Sequence, residues 1–209
     1  MNPQALEDFL PHLNIQVDGV PRIFMLDALR LTCIEFCEQT LLFRETVELP
    51  ISADVSDYEL EPSLCDSEVC RILDVWINSA RIRAITPDDG IRTNEIYDSA
   101  TPTSYYTMDP ALLTLVPTPS ATADLKVSFA YKPEHDADNV PETLYTTYRE
   151  IIVRGAAARL LIMPNRPWTN VEHGGLYRKL YWQALHTMAR QDHWDGFTRQ
   201  KQVVRGTFL

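Results

Sequence analysis

Apolar and polar residues follow two different periods along the chain, and the change of period marks its predicted elements. Between residues 23 and 43 the apolar positions recur at the spacing of one helical face. They are Leu26, Leu29, Cys33, Phe36, Cys37 and Leu41. Pro21 precedes this run, and Asp27 lies near its start, where the helix dipole favours a carboxylate. The pattern predicts a long helix with one face in a core.

From residue 46 onward the sequence changes to short runs rich in β-branched and aromatic residues. The runs are 46–51, 69–77, 81–85, 104–108, 112–116 and 125–131. Polar turn segments such as ISADVSD, TPDDG and PTPSATAD separate them. Because no long helical pattern interrupts these runs, the sequence predicts a small antiparallel sheet or sandwich without βαβ units.

Helical periodicity returns near residue 140. A helix is predicted over 143–163, started by Pro141 and containing small residues at 155–158 that let a neighbouring helix approach closely. The sequence MPNRPW ends it, and a second helix is predicted from about 171 to 191. Two helices joined by a short, proline-containing link indicate an antiparallel hairpin.

The predicted fold class is therefore α+β, a helical bundle split in sequence, with an inserted antiparallel β domain and an extended C-terminal tail. The bundle is assigned to residues 1–44 and 140–190, and the β insertion to 45–139. Residues 191–209 are assigned to a partner-binding tail.

Charge is distributed unevenly along the chain, whose net charge is −10. Residues 1–148 hold 9 basic and 25 acidic residues, whereas residues 149–209 hold 10 and 4. Between Glu45 and Asp74 there are nine acids and one base, Arg71. A solvated acidic face explains such a run, but the polarity also suits ordered contacts with neighbours. Phosphates would be repelled by the acidic part, so wrapping of nucleic acid is not expected, although DNA could slide past it.

The four cysteines are the first candidates for metal ligands. Cys33 and Cys37 are four apart, and Cys65 and Cys70 are five apart, near the upper limit of structural zinc spacing. The first pair lies on the apolar face of the predicted helix, where cysteines act as small hydrophobic residues. We therefore predict reduced thiols, with the first pair in the core, and no metal ligands.

Catalytic patterns are absent from the sequence. The five histidines are scattered, and neither H-E-x-x-H, G-x-x-x-x-G-K-[ST], G-x-G-x-x-G nor G-x-S-x-G occurs. The acidic pair Asp88 and Asp89 is assigned to a turn, where Asp is favoured for backbone reasons. The sequence predicts no catalytic, cofactor-binding or metal-binding residue and therefore no enzyme. It also contains neither a membrane-spanning apolar run nor the pattern of a signal peptide at its N-terminus.

The C-terminal segment combines aromatic, aliphatic and basic residues that no predicted element buries. The residues predicted to bind a partner are Trp194, Phe197, Arg199, Lys201, Val203, Arg205, Phe208 and Leu209. Nonspecific binding of nucleic acid is one interpretation, but three cations are few for it. A groove on a partner protein fits better, with aromatic anchors and arginines that meet carboxylates.

The order of these segments resembles the head-to-tail adaptor, or connector, family of tailed phages. The resemblance rests on the helix DALRLTCIEFCEQT, the strand phrase LTLVPTPSATADLKVSFAYKP, the helix VPETLYTTYREIIVRGAAARLL, the break NRPWTN and the helix YRKLYWQAL. It implies a virion protein at the head–tail junction, assembled in the bacterial host cytoplasm as a ring, in this family a dodecamer. It also implies a C-terminal tail that binds the portal, contacts with tail or nozzle proteins, and a channel that DNA crosses without sequence-specific binding.

Two other functions remain open from the residues. One is another neck or tail component, such as a stopper or tail-completion protein. The other is a small virion-associated hydrolase, which would need a polar pocket that brings His135 or His173 together with carboxylates.

The assignment of the cysteines predicts how the protein responds to chelators. Purified protein should contain no stoichiometric zinc by atomic absorption, and EDTA should leave its melting temperature unchanged, because buried thiols need no metal to be stable. One equivalent of zinc per chain would contradict this assignment.

Overall fold

In the computed structural model, the structure describes residues 2–96 and 101–198; of Glu95 and residues 189–198 it describes only the backbone. The chain divides into two compact units. A β unit comprises residues 1–5 and 41–142, and a helical unit comprises residues 6–40 and the chain from 143 onward. The α+β class is confirmed. The exact domain boundaries predicted above, at residues 44, 140 and 190, stay a prediction.

The β unit is built on one seven-stranded sheet and a separate two-stranded pair. In chain order the strands are β1 (Pro3–Ala5), β2 (Arg44–Ile51), β3 (Asp57–Glu59), β4 (Ser67–Ile77), β5 (Ala80–Ala84), β6 (Ser104–Tyr106), β7 (Leu112–Val116), β8 (Ala123–Pro133) and β9 (Asn139–Pro141). The large sheet has the order β2-β8-β4-β5-β6-β7-β3, and β1 pairs with β9. Each of the six predicted runs overlaps one strand of the large sheet.

Alternation of apolar and polar residues gives the sheet its buried face. Val127 of β8 pairs with Val47 of β2 and Val75 of β4, and the neighbouring Leu125 and Phe129 are fully buried. Successive side chains of a strand point to opposite faces, so the intervening Lys126 lies on the exposed face. Strands β8 and β4 therefore form the centre of this unit's core, and β2 lies at the edge of the sheet.

The sheet is mixed, and the expectation of a purely antiparallel sheet without βαβ units is wrong. Strands β5 and β6 pair in parallel, and helix α3 (Pro87–Ile96) lies between them in sequence. The segment TPDDG starts this helix: Thr86 Oγ donates to Asp89 Oδ2 at 2.7 Å, and Asp89 N donates to Thr86 Oγ at 3.3 Å. This reciprocal cap, with Pro87 as the first helical residue, is a helix-start signal, so the assignment of TPDDG to a turn is wrong.

The helical unit consists of a 3₁₀ turn and five α-helices in the described residues. The turn is Leu6–Phe9, and the helices are α1 (Leu10–Gln16), α2 (Arg22–Thr40), α4 (Glu142–Thr146), α5 (Arg149–Leu161) and α6 (Val171–Thr198). The long first helix is confirmed, and it ends where Leu41 takes a positive φ of 49°. The single helix predicted over 143–163 is instead two helices, α4 and α5.

Helix α6 continues seven residues beyond the predicted end at 191, so the prediction of an extended tail from that point is wrong. Residues 191–198, QDHWDGFT, include no proline. The one glycine, Gly196, costs about 1 kcal/mol in a helix, which is too little to terminate it.

Small residues let α2, α5 and α6 approach one another closely, as the sequence predicted. A Cβ at Gly155 of α5 would lie 2.5 Å from Thr32 Cγ2 of α2 and 2.9 Å from the ring of Tyr181 of α6. Ala156 and Ala157 beside it are fully buried. Any larger residue at position 155 would therefore push two neighbouring helices apart.

Substitution of Gly155 tests this close contact. Gly155→Val should lower the free energy of unfolding by about 2–3 kcal/mol, measured by urea denaturation, because overpacking displaces both neighbouring helices. The matched control is Gly175→Val, at an exposed position of α6 where a Cβ meets nothing within 4 Å. This substitution should change the free energy of unfolding by less than about 0.5 kcal/mol. Equal effects at both glycines would contradict the contact.

Candidate partner-binding site

Helix α6 carries the first part of the predicted partner-binding segment, and its start is fixed by a cap. Asn170 Oδ1 accepts a hydrogen bond from His173 N at 3.1 Å, and Asn170 N donates to Leu161 O at 2.9 Å. The first bond satisfies one of the free N–H groups of the first helical turn. The second connects the start of α6 to the end of α5, so the hairpin has a defined geometry.

The register of α5 and α6 shows how far α6 extends beyond its neighbour. The helices run antiparallel, since Gly174 lies against Leu161 and Gly155 lies against Tyr181. In this register Arg149, the first residue of α5, lies opposite about residue 187. Helix α6 therefore continues past the start of α5 for roughly 11 residues, about 16 Å at 1.5 Å per residue.

The eight predicted partner-binding residues fall on this extension and beyond it. The backbone at Trp194 and Phe197 is part of α6. The other six lie outside the described residues: Arg199, Lys201, Val203, Arg205, Phe208 and Leu209. Their assignment to a partner interface stays a prediction.

An ion pair and a buried tyrosine connect the three long helices α2, α5 and α6. Arg159 of α5 and Glu35 of α2 form a salt bridge of 2.7 Å, and Tyr181 OH donates to Thr32 O at 3.4 Å. Burial raises the pKa of the Tyr181 hydroxyl; the negative charge of Glu35 raises it further, and Arg159 partly offsets that effect. Burial also raises the pKa of the fully buried Cys33 thiol. All these groups serve the packing of the helices.

A cleft of about 380 Å³ opens beside this ion pair in the helical unit. Glu35, Arg159, Arg178, Tyr181 and Trp182 are among its lining residues. Of its two acids, Glu35 is neutralised by Arg159, and its tyrosine is held protonated by burial. The arrangement suits helix packing better than proton transfer.

The hydrolase alternative requires a pocket that brings His135 or His173 together with carboxylates. His173 hydrogen-bonds with Asn170 at the cap of α6, and within the described residues exposed His135 has no hydrogen-bond or ion-pair partner. The described part of the chain contains no group of three or more His, Cys, Asp or Glu side chains that could hold a metal ion. All four cysteines are described, and none of them forms a disulfide.

The acidic stretch 45–74 separates into paired and unpaired carboxylates. Glu48 pairs with Lys126 at 2.8 Å, Glu68 pairs with Lys132 at 3.3 Å, and Asp74 pairs with Arg81. Near β3, at the opposite edge of the sheet from β2, three exposed carboxylates have neither an ion pair nor a side-chain hydrogen bond among the described residues: Asp54, Glu59 and Glu61.

Net charge differs between the two folded units, although by less than between the sequence segments that divide at residue 148. The β unit holds 7 basic and 19 acidic residues, a net of −12, and the helical unit holds 12 and 10, a net of +2. The difference is smaller because the six acids of residues 6–40 belong to the helical unit. The negative charge is thus concentrated in one folded unit.

No helix in the described part of the chain is long and apolar enough to cross a membrane. Residues 4–203 match the protein family described as SU10 adaptor protein. No curated protein matches the sequence.

The buried hydroxyl and thiol predict how stability depends on pH. Both groups have a folded pKa above the unfolded value, so they stay protonated in the folded state while the unfolded chain loses protons above about pH 9. Stability should therefore fall as pH rises from 9 to 10.5, by up to about 1.4 kcal/mol per pH unit for each group. Urea denaturation at several pH values measures this slope.

Two variants and a control identify the groups that cause the pH dependence of stability. Cys33→Ala and Tyr181→Phe should each make the slope shallower, whereas Cys65→Ala, at an exposed position, should leave it unchanged. If Cys33→Ala retained the full slope, the thiol would not be its source.

Proposed function

Because the chain belongs to the SU10 adaptor protein family, a family of phage head-to-tail adaptors, we propose that it forms a ring below the portal. Adaptors of this family are structural components of the virion and interact with portal and tail proteins. The match over residues 4–203, nearly the whole chain, is the observation that carries the proposal. In the ring, the protein would extend the DNA channel and provide the docking site for the tail.

The C-terminal part of α6 and the residues after it are the proposed portal anchor. The helix extends about 16 Å past the start of α5, and beyond Thr198 the sequence continues with three cations, two valines and Phe208. Trp194 and Phe197, three positions apart, attach to the same side of a helical backbone. Aromatic residues with flanking arginines are the residue types that dominate binding energy at protein interfaces.

The charge of the β unit supports a position near the DNA path. With a net charge of −12, this unit repels phosphates, so DNA could pass it without being bound. An adaptor has to let the genome move in both packaging and ejection. We therefore propose that DNA crosses the ring without sequence-specific contacts, and that the ring is the dodecamer implied by the resemblance, assembled in the host cytoplasm.

Truncation of the anchor tests the proposal. Deletion of residues 199–209 leaves α6 complete, so the melting temperature should stay unchanged. Portal rings of the same phage should bind the truncated chain about a hundredfold more weakly or not at all, because six of the eight anchor side chains are lost. Native mass spectrometry of chain and portal, without any tail protein, measures the number of copies bound.

Single substitutions separate aromatic from charged contributions. Trp194→Ala and Phe208→Ala should weaken portal binding more than Arg205→Ala, since aromatic burial contributes more than a charge at an exposed rim. Normal assembly of the truncated chain together with normal binding of Trp194→Ala would locate the anchor elsewhere. One or two copies per portal ring, or binding only after a tail protein has been added, would contradict the adaptor ring and favour a stopper or tail-completion protein.

A further inference from the structure

The link between α5 and α6 forms a surface patch together with the first turn of α2. The link patch consists of Ile23, Phe24, Arg166 and Trp168. The rings of Phe24 and Trp168 lie 5.9 Å apart, and the Arg166 guanidinium lies 5.3 Å from the first ring and 6.0 Å from the second. Ile23 beside them is 72% exposed. The segment NRPW predicts a helix break, and its Arg and Trp are also residue types common in binding surfaces.

Backbone and side-chain hydrogen bonds hold the link in one conformation. Thr169 Oγ donates to Met163 O at 2.5 Å and accepts from Arg166 N at 3.1 Å, and Thr169 N donates to Arg166 O at 3.1 Å. Asn165 takes a positive φ of 56°, which asparagine tolerates better than most residues. Arg166 and Trp168 are therefore ordered before any partner binds, which reduces the entropy lost on association.

Two polar groups of the link patch lack partners in the described part of the chain. The Arg166 guanidinium forms no salt bridge there, and the buried indole Nε1 of Trp168 has no hydrogen-bond acceptor. The Arg166 side chain is exposed, so a partner that brings carboxylate oxygens would pair with its guanidinium. Apolar residues around an arginine select a partner that combines carboxylates with exposed apolar side chains.

The β unit has such a surface along its edge strand β3. This acidic edge contains the unpaired carboxylates Asp54, Glu59 and Glu61. Val55, within it, is 42% exposed, and Met108, four residues before the start of the paired strand β7, is 71% exposed. The acidic edge therefore complements the link patch in both charge and apolar character.

We propose that the link patch of one subunit binds the acidic edge of the next copy of this chain in the ring. The proposal rests on the adaptor function and specifies its subunit contact. Two different surfaces of one chain that bind each other produce a head-to-tail contact, and such contacts generate rings when the rotation closes. A contact between identical surfaces would stop at a dimer.

Charge reversal tests the contact in the full-length chain on portal rings. Arg166→Glu should raise the chain concentration that half-fills a portal ring at least about tenfold, because like charges then face each other. Partly filled rings should accumulate in native mass spectra, because single subunits still bind through the C-terminal anchor. Combining Arg166→Glu with Glu59→Arg and Glu61→Arg should restore complete rings.

Matched variants control for general charge and surface effects. Lys179→Glu makes the same charge change at an exposed position outside the link patch, and it should fill rings like the wild type. Ile23→Asp should impair ring filling, whereas Ile15→Asp, 81% exposed on α1, should not. Each variant should keep the wild-type melting temperature, since none of these side chains is buried.

The outcomes separate this proposal from the adaptor function. If the wild type fills portal rings and Arg166→Glu fills them at the same concentration, the link patch is not the subunit contact, and the adaptor function stands. If the patch instead binds portal, Arg166→Glu should abolish binding of single subunits as well. If the wild type does not bind portal, sedimentation of the concentrated free chain tests the contact alone. A chain that then shows no self-association overturns both proposals.

Discussion

The close approach of three helices at Gly155 is the constraint on which the helical unit depends. Thr32 of α2 and Tyr181 of α6 both occupy space that any side chain at this position would fill. Because the contact lies deep in the hairpin, it sets the register of α5 against α6. That register in turn determines how much of α6 extends beyond its neighbour and where the link between the helices lies.

The ionisable groups near Gly155 take part in the packing of the helical unit. Glu35 and Arg159 neutralise each other, and the hydroxyl of Tyr181 and the thiol of Cys33 are kept protonated by burial. Groups that an enzyme would use for proton transfer instead connect helices. This agrees with membership of a structural family, in which the product of folding is a correctly shaped subunit.

The β unit contributes negative charge and an exposed edge strand of its sheet. Strands β2, β8 and β4 pair carboxylates with lysines, as Glu48 of β2 does with Lys126 of β8 on the exposed face of the sheet. At the edge strand β3, Glu59 forms no ion pair with any described residue, whereas Asp57 accepts a hydrogen bond from Thr114. A net charge concentrated in one unit is the basis of both proposals for the β unit, the passage of DNA without binding and the contact with a basic surface.

The sequence by itself determined the α+β class, the six main strands, the long first helix and the family, because alternation and helical periodicity are local properties that tertiary contacts reinforced. It failed where local signals were ambiguous: the same TPDDG segment suits a turn or a helix cap, and nothing in QDHWDGF states where α6 ends. Only the tertiary structure decided that β5 and β6 pair in parallel, which carboxylates find cations, and that Arg166 stacks on Phe24. Those features depend on residues distant in sequence, whose proximity exists only after the chain has folded.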